Sequence, residues 1–433
     1  MLYALADINN FYCEAERAFR PQLNGRPLVV LSSNDGNAIS RSEEAKALGI
    51  KMGAPWHEIR HLVDSAGLVA LSSNFTLYGE MSDRVMTILA HYSPRVEVYS
   101  IDECFLDLQG LPGQPLDIGK RMREQVLRWV GLPTCVGIAN TKTLAKFANH
   151  VAKTAERKPG IYPPHFAQVC DLEHMSTEDR EDLFARTAIG EVWGIGPRIE
   201  AQLVAGGIKS ISDLLRVDIG TLRRQHSVVL ERTVRELMGV SCIPFDDAPA
   251  PRQQIMCSRS FGKTVQDFNS LLQAISEFAS RAAEKLRQQS SLAASAQVFI
   301  RTSPFCQHDA QYGRSATVPL PRPTADTRLL LQAAVAGLRA IFKPGYNYAK
   351  AGVMLMDLSS QEHSQGELDL EADLITDKSR LMSAVDAVNR RYGRGSLVLA
   401  SMGPGGEHAW HAKRERLTPC YTTRWEDIPI ARA

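Results

Sequence analysis

Between two apolar runs, Val96–Tyr99 and Cys104–Leu108, the chain places two adjacent carboxylates, Asp102 and Glu103, in the stretch VEVYSIDECFLDL. Two strand-like segments joined by four residues predict a hairpin-like turn at Ser100–Glu103. Carboxylates held at the edge of an apolar sheet need protonation, partners or metal. The first segment, Leu2–Ile8, also reads as a buried strand, with Asp7 near its end. Pairing that strand with the hairpin would bring three hard oxygen ligands together, a set suited to Mg²⁺ beside phosphate. An Asp-Glu pair by itself is more often the mark of an exposed turn.

Further elements follow from periodicity. Leu28–Leu31 reads as a short strand, Arg41–Leu48 as a helix stopped by Gly49, and Phe75–His91 as a helix. Ile118–Trp129 is an amphipathic helix, Thr134–Ile138 a strand, and Lys142–Val151 a helix. The class is mixed α/β, with antiparallel pairing favoured over a doubly wound sheet. Lys142 and Lys146 stand four apart, and Lys153 follows two turns later, so the three could present one basic face to phosphates or simply to solvent. In VWGIGPRIEAQLVAGG, a tight turn through Gly194 and Gly196 precedes Arg198. Backbone N–H groups of such a turn can cradle a DNA phosphate without reading sequence.

Charge is unevenly distributed. The total is +2 over 433 residues, which alone makes no case for a polyanionic partner. Residues 1–110 carry 9 Lys/Arg against 14 Asp/Glu, whereas 120–160 carry 9 against 2 and 252–350 carry 13 against 5. Both basic blocks could meet nucleic acid or be solvated faces. The stretch 242–254, CIPFDDAPAPRQQ, reads as a linker, and a second boundary falls near 356–366. Eight cysteines without a CxxC pair argue against a zinc cluster or a disulfide scaffold, so a reducing cytoplasm is expected. No signal peptide and no apolar run of membrane-spanning length is expected.

Taken in order, DINNFYCEAERAFRP, SSNDGNAISRSEEAKALGIKMG, SPRVEVYSIDECFLDL, GIANTKTLAKFANHVAK, VWGIG and PCYTTRWEDIP resemble the Y-family translesion DNA polymerases. Within them the chain is most similar to the UmuC-type branch, the catalytic subunits of bacterial DNA polymerase V. The resemblance covers essentially the whole chain. It implies a right-hand polymerase with an antiparallel-sheet palm (1–10 and 75–165), small fingers (11–74) and a helical thumb with a helix-hairpin-helix (166–241). After the linker would come an α/β little finger (255–356) and a partner-binding C-terminal extension (357–433).

The resemblance also implies roles. Asp7, Asp102 and Glu103, with the Ile8 carbonyl, would hold two Mg²⁺ ions. Tyr12 would be the steric gate against a ribose 2′-OH, with Phe11 beside the nucleotide. Ser40, Lys46 and Lys153 would contact the dNTP phosphates. Glu43 stands where many relatives have a phosphate-binding tyrosine, and does not inherit that role. Lys142, Lys146, Gly194, Gly196, Arg198, Arg259, Lys263, Arg301 and Arg314 would face primer-template DNA. Gln365, Leu368 and Leu370 have the spacing of a sliding-clamp peptide, although Gly366 departs from it. Implied partners are a processed UmuD-type dimer, a RecA filament and the clamp, and the implied activity is error-prone synthesis across damage in the SOS response. A nucleotidyl cyclase would share the carboxylates but not the second basic block. A non-catalytic DNA-binding scaffold would not need the intact carboxylates and Lys153.

Overall fold

The opening strand, Tyr3–Ile8, is buried at every residue because it lies in the middle of a sheet covered on both faces. The sheet order is Val96–Val98, Glu103–Asp107, Tyr3–Ile8, Thr134–Ala139, Val169–Asp171. All pairings are antiparallel except the last, which is parallel. The computed structural model describes residues 1–246, 250–361, 378–393, 395–403, 408 and 410–430.

Alternation along the first strand sends side chains to two different cores. Ala4, Ala6 and Ile8 join Leu77, Met81 and Val85 of the Phe75–Ala90 helix. Tyr3 and Leu5 join Leu144, Ala148 and Val151 of the Lys142–Arg157 helix. Asp7 shares the parity of Tyr3 and Leu5, so it faces the lysine-bearing helix. That helix lies close on the sheet at Gly137, where a Cβ would stand 2.2 Å from the Asn149 nitrogen and 2.3 Å from the Ala145 oxygen. Any larger residue there would push the helix off. Asn149 Nδ2 fixes the contact by donating to the Cys135 carbonyl at 2.8 Å.

Several boundaries differ from expectation for local reasons. The Arg41–Leu48 helix begins at Glu43, because the Ser42 hydroxyl accepts from Ala45 N and caps it. Arg41 instead ends a strand, Ala38–Arg41, in a second sheet with Leu28–Leu31 and Val69–Ser72. The lysine helix continues six residues past Val151, to Arg157. The 242–254 linker starts later than its composition suggests. Phe245 stacks on Tyr3 at 6.0 Å, and Asp246 N donates to Glu97.

The described residues of 1–32, 37–246 and 416–430 form one compact unit, and those of 33–36 and 250–415 form another. In the second, four antiparallel strands run in the order Gly313–Thr324, Ser291–Thr302, Tyr348–Ser360, Ile255–Val265. Helices Phe268–Gln288 and Thr327–Ile341 cover one face. The last strand runs to Ser360, past the boundary expected at 356. The tail is also not a separate body. Its Ser379–Tyr392 helix is held to the second unit by Asp386, which receives two hydrogen bonds from Arg287 at 2.6 and 2.7 Å. From Arg416 onward the tail belongs to the first unit. Among the described residues, no helix is long and apolar enough to cross a membrane.

Candidate functional site

Strand register assembles the carboxylates. Asp7 and Glu103 are directly opposed partners in the antiparallel pair. Asp102 precedes Glu103, and its carbonyl accepts from Ile8 N at 2.9 Å. Ser100 shapes the turn: its hydroxyl donates to Asp102 Oδ1 at 2.6 Å and accepts from Glu103 N at 3.0 Å.

The helix opposite supplies a cation for two of the three. Lys153 Nζ lies 2.5 Å from Asp7 Oδ2. Lys146 Nζ reaches both oxygens of Glu103, at 2.8 and 2.9 Å. Burial nevertheless pushes the Asp7 carboxyl up to about 6; Lys153 opposes this, while Glu103 and Asp102 add to it. Among the described residues, no three acidic, thiol or imidazole side chains are already gathered as a metal cage. The donor set still suits a hard divalent ion: Asp7 and Glu103 are opposed in register, Asp102 is next in sequence, and buried Asp7 feels the charge of both.

A cavity of about 350 Å³ opens at this strand end. Asp7, Ile8, Phe11, Tyr12, Ser40, Lys46, Asp102 and Lys153 line it, so eight residues singled out from motifs far apart in sequence meet around one space. Tyr12 is held as a flat wall, its ring stacked on Tyr78 at 4.4 Å and 14° and met edge-on by Phe75 at 6.0 Å. Three further polar residues line it: Asn10, Arg41 and Arg157. The signal for Arg157 was its position four after Lys153 on one helix face. Glu43 organises this side. Its Oε1 accepts from Asn10 Nδ2 at 2.9 Å and Lys46 Nζ at 2.8 Å, and lies 3.2 Å from Arg157 Nη1.

Two expected DNA contacts need correction. Lys142 is 2% exposed and ion-paired to Glu97, with a second bond to the Pro244 carbonyl at 2.7 Å. It is an internal tie and cannot present its charge to a phosphate. Lys146 is likewise turned inward, to Glu103 and over the rings of Tyr99 and Trp193 at 4.5 and 5.1 Å. By contrast, Gly194, Gly196 and Arg198 are exposed at the start of the Pro197–Ala205 helix, with Gly194 at φ +91°.

In the second unit, Arg259, Lys263, Arg301 and Arg314 are exposed, but they do not share one face. Arg259, Ala351, Ile300 and Arg314 are successive register partners across the sheet, on the helix-covered side. Arg301 points to the opposite, helix-free side, where its partner is Lys350. Burial lowers the Lys350 pKa, and Arg301 adds to the effect. Sequence reading missed Lys350, because its pairing depends on long-range register. Gln365, Leu368 and Leu370 lie outside the described residues.

Solved structures with this architecture include a Y-family DNA polymerase chimera, TM-score 0.63 at 19% identity, covering 83% of this chain and all of that one. Another is the insertion ternary complex of Dbh DNA polymerase, TM-score 0.55 at 18% identity, with the same coverage. The fold is that of a Y-family DNA polymerase. Residues 6–150 match the impB/mucB/samB family, 252–368 match that family's C-terminal domain, and 379–431 match a domain of unknown function. Protein ImpB of Salmonella typhimurium is 43% identical over 433 residues, the whole of both chains. Protein UmuC of Salmonella typhimurium strain LT2 is 43% identical over 429 residues, 99% of each. DNA polymerase IV of Pelotomaculum thermopropionicum is 26% identical, covering 93% of this chain and 96% of its own. The chain belongs to the impB/mucB/samB family.

Proposed function

We propose that the cavity is the nucleotidyl-transfer site of an error-prone, DNA-directed DNA polymerase of the UmuC type, acting in translesion synthesis during the SOS response. One observation carries the reading. Asp7 and Asp102 line the same cavity as Tyr12, Ser40, Lys46 and Lys153, and Glu103 is the register partner of Asp7.

Asp7, Asp102, Glu103 and the Ile8 carbonyl would hold two Mg²⁺ ions. Such ions, when bound, acidify a primer 3′-hydroxyl and offset the charge of a triphosphate. Asp7 and Glu103 must exchange their lysine partners to take part, and Lys153 is then free to meet a phosphate oxygen. Lys46, Arg157 and the Ser40 hydroxyl lie on the remaining wall, placed to orient the triphosphate. The Tyr12 ring bars a 2′-hydroxyl because Tyr78 prevents it from yielding. The 3′-oxygen attacks the α-phosphorus, and pyrophosphate leaves.

The domain roles follow the same reading. The five-stranded sheet is the palm, the three-stranded sheet the fingers, the helices at 177–237 the thumb, and the four-stranded sheet the little finger. Primer-template DNA would meet Gly194, Gly196, Arg198 and the exposed cations of the second unit. Processed UmuD-type dimer, RecA filament and sliding clamp are the partners that the UmuC likeness supports. The test is extension of a labelled primer across a single abasic site by the full chain, with those partners supplied. Product that requires Mg²⁺ and a dNTP is expected; DNA binding without any extension would overturn the reading.

A further inference from the structure

Residues 416–421 of the tail lie against the back of the Tyr12 wall. Arg416 and Ser72 exchange two hydrogen bonds, backbone N to carbonyl and N to hydroxyl, both at 3.0 Å. Asn74 Nδ2 donates to the Thr418 hydroxyl at 3.1 Å and to the Thr418 and Pro419 carbonyls. Tyr421 stacks on Phe19 at 4.9 Å and 7°, and its hydroxyl accepts from Arg20 Nε at 2.7 Å. Phe19 and Arg20 end the Phe11–Phe19 helix, whose first turn carries Tyr12.

Inside this contact sits Glu16, fully buried on the same helix. A carboxylate taken out of water must be solvated by the protein. Glu16 Oε1 receives two hydroxyls: Tyr78 at 2.8 Å and Thr418 at 3.1 Å. Its other oxygen has no hydrogen-bond partner among the described residues. Thus one of the two groups that hold this carboxylate comes from the tail, and the other is the tyrosine whose ring backs Tyr12 at 4.4 Å.

We propose that the C-terminal segment is a positioning strap for sugar selection, in which Thr418, through Glu16 and Tyr78, fixes the ring of Tyr12. This gives a task to part of the 379–431 domain of unknown function. It rests on the reading of Tyr12 as the sugar gate. Thr418 touches neither nucleotide nor metal, so its effect is on geometry alone. Loss of its hydroxyl leaves Glu16 held by Tyr78 only; the carboxyl shifts, Tyr78 follows, and Tyr12 loses its fixed backing.

The test is the ratio of kcat/KM for a dNTP over the matching rNTP, measured with the full chain. Thr418→Val keeps the shape and removes the hydroxyl. It is expected to lower the ratio by about three- to tenfold, the range over which packed networks act on a neighbouring site. Thr418→Ser restores the hydroxyl and should restore the ratio. Thr418→Ala reads the same ratio should the valine variant fail to accumulate. A merely structural role would reduce both activities together and leave the ratio unchanged. An unchanged ratio in the Thr418 variants, with a ratio lowered by Tyr12→Ala, overturns the strap and leaves the gate standing. An unchanged ratio in Tyr12→Ala overturns both.

Discussion

The two units both carry an excess of basic residues over part of their length, yet they use it in opposite ways. On the Lys142–Arg157 helix each cation is drawn to a carboxylate: Lys142 to Glu97, Lys146 to Glu103, Lys153 to Asp7, Arg157 to Glu43. In the second unit no ion pair among the described residues involves Arg259, Lys263, Arg301 or Arg314. Equal charge counts therefore describe two physical situations. Paired, buried cations tune and neutralise an acidic centre. Exposed cations remain available to a polyanion, whose counterions they displace.

The largest expected break in this contrast is Lys153→Ala. It removes the partner of Asp7 and, on the proposed function, a phosphate contact, and kcat/KM for single-nucleotide insertion should fall by about 10²- to 10³-fold. Lys142→Met should act on folding instead. Breaking a buried pair strands Glu97, a loss of about 3–5 kcal/mol in a urea melt. DNA affinity of the folded variant should keep its salt dependence, since Lys142 meets no phosphate.

Neutralising Arg301 and Lys350 to Gln should do the reverse. Affinity for primer-template should drop by about tenfold, and the slope of log affinity against log salt should shrink by roughly one per charge. The urea midpoint should stay near wild type. An unchanged slope would remove the helix-free face of the sheet from DNA binding.

A smaller effect concerns pH. The Asp7 carboxyl rises from 3.8 to about 6 on folding. The folded state therefore binds this proton more tightly than the unfolded one. The stability it contributes is complete below the unfolded value and is lost as pH rises through the folded one. Mg²⁺ would offset the cost of burying the charged Asp7 and the smaller repulsion from Glu103 and Asp102 behind that loss. The Tm increase on adding Mg²⁺ should thus be larger at about pH 7.5 than at about pH 5.5. An equal increase at both would detach Asp7 from metal binding.

The same contrast explains what could be read in advance. Local patterns revealed the carboxylate side: an Asp-Glu pair between strands, an Asp at a strand end and lysines at helical spacing are all short-range features. Their convergence needed one register, Asp7 opposite Glu103, which alternation nearly dictates. The destinations of Lys142 and Lys146 were not legible, because a lysine spaced for a solvent face looks the same as one aimed at a carboxylate. The second unit hid more. Arg301 and Arg314 fall on opposite faces because Arg314 pairs with Ile300, the neighbour of Arg301, across a long loop. The tail's return to Glu16, some 400 residues away in sequence, has no local signal at all.

On the proposed function, Asp102 belongs to the chemistry and the exposed cations bind DNA. Asp102→Asn separates the two in one titration, with primer-template affinity and Mg²⁺-dependent extension read on the same samples. Wild-type or slightly tighter binding is expected, with extension lost. Extension by Asp102→Asn at a rate near wild type would contradict it.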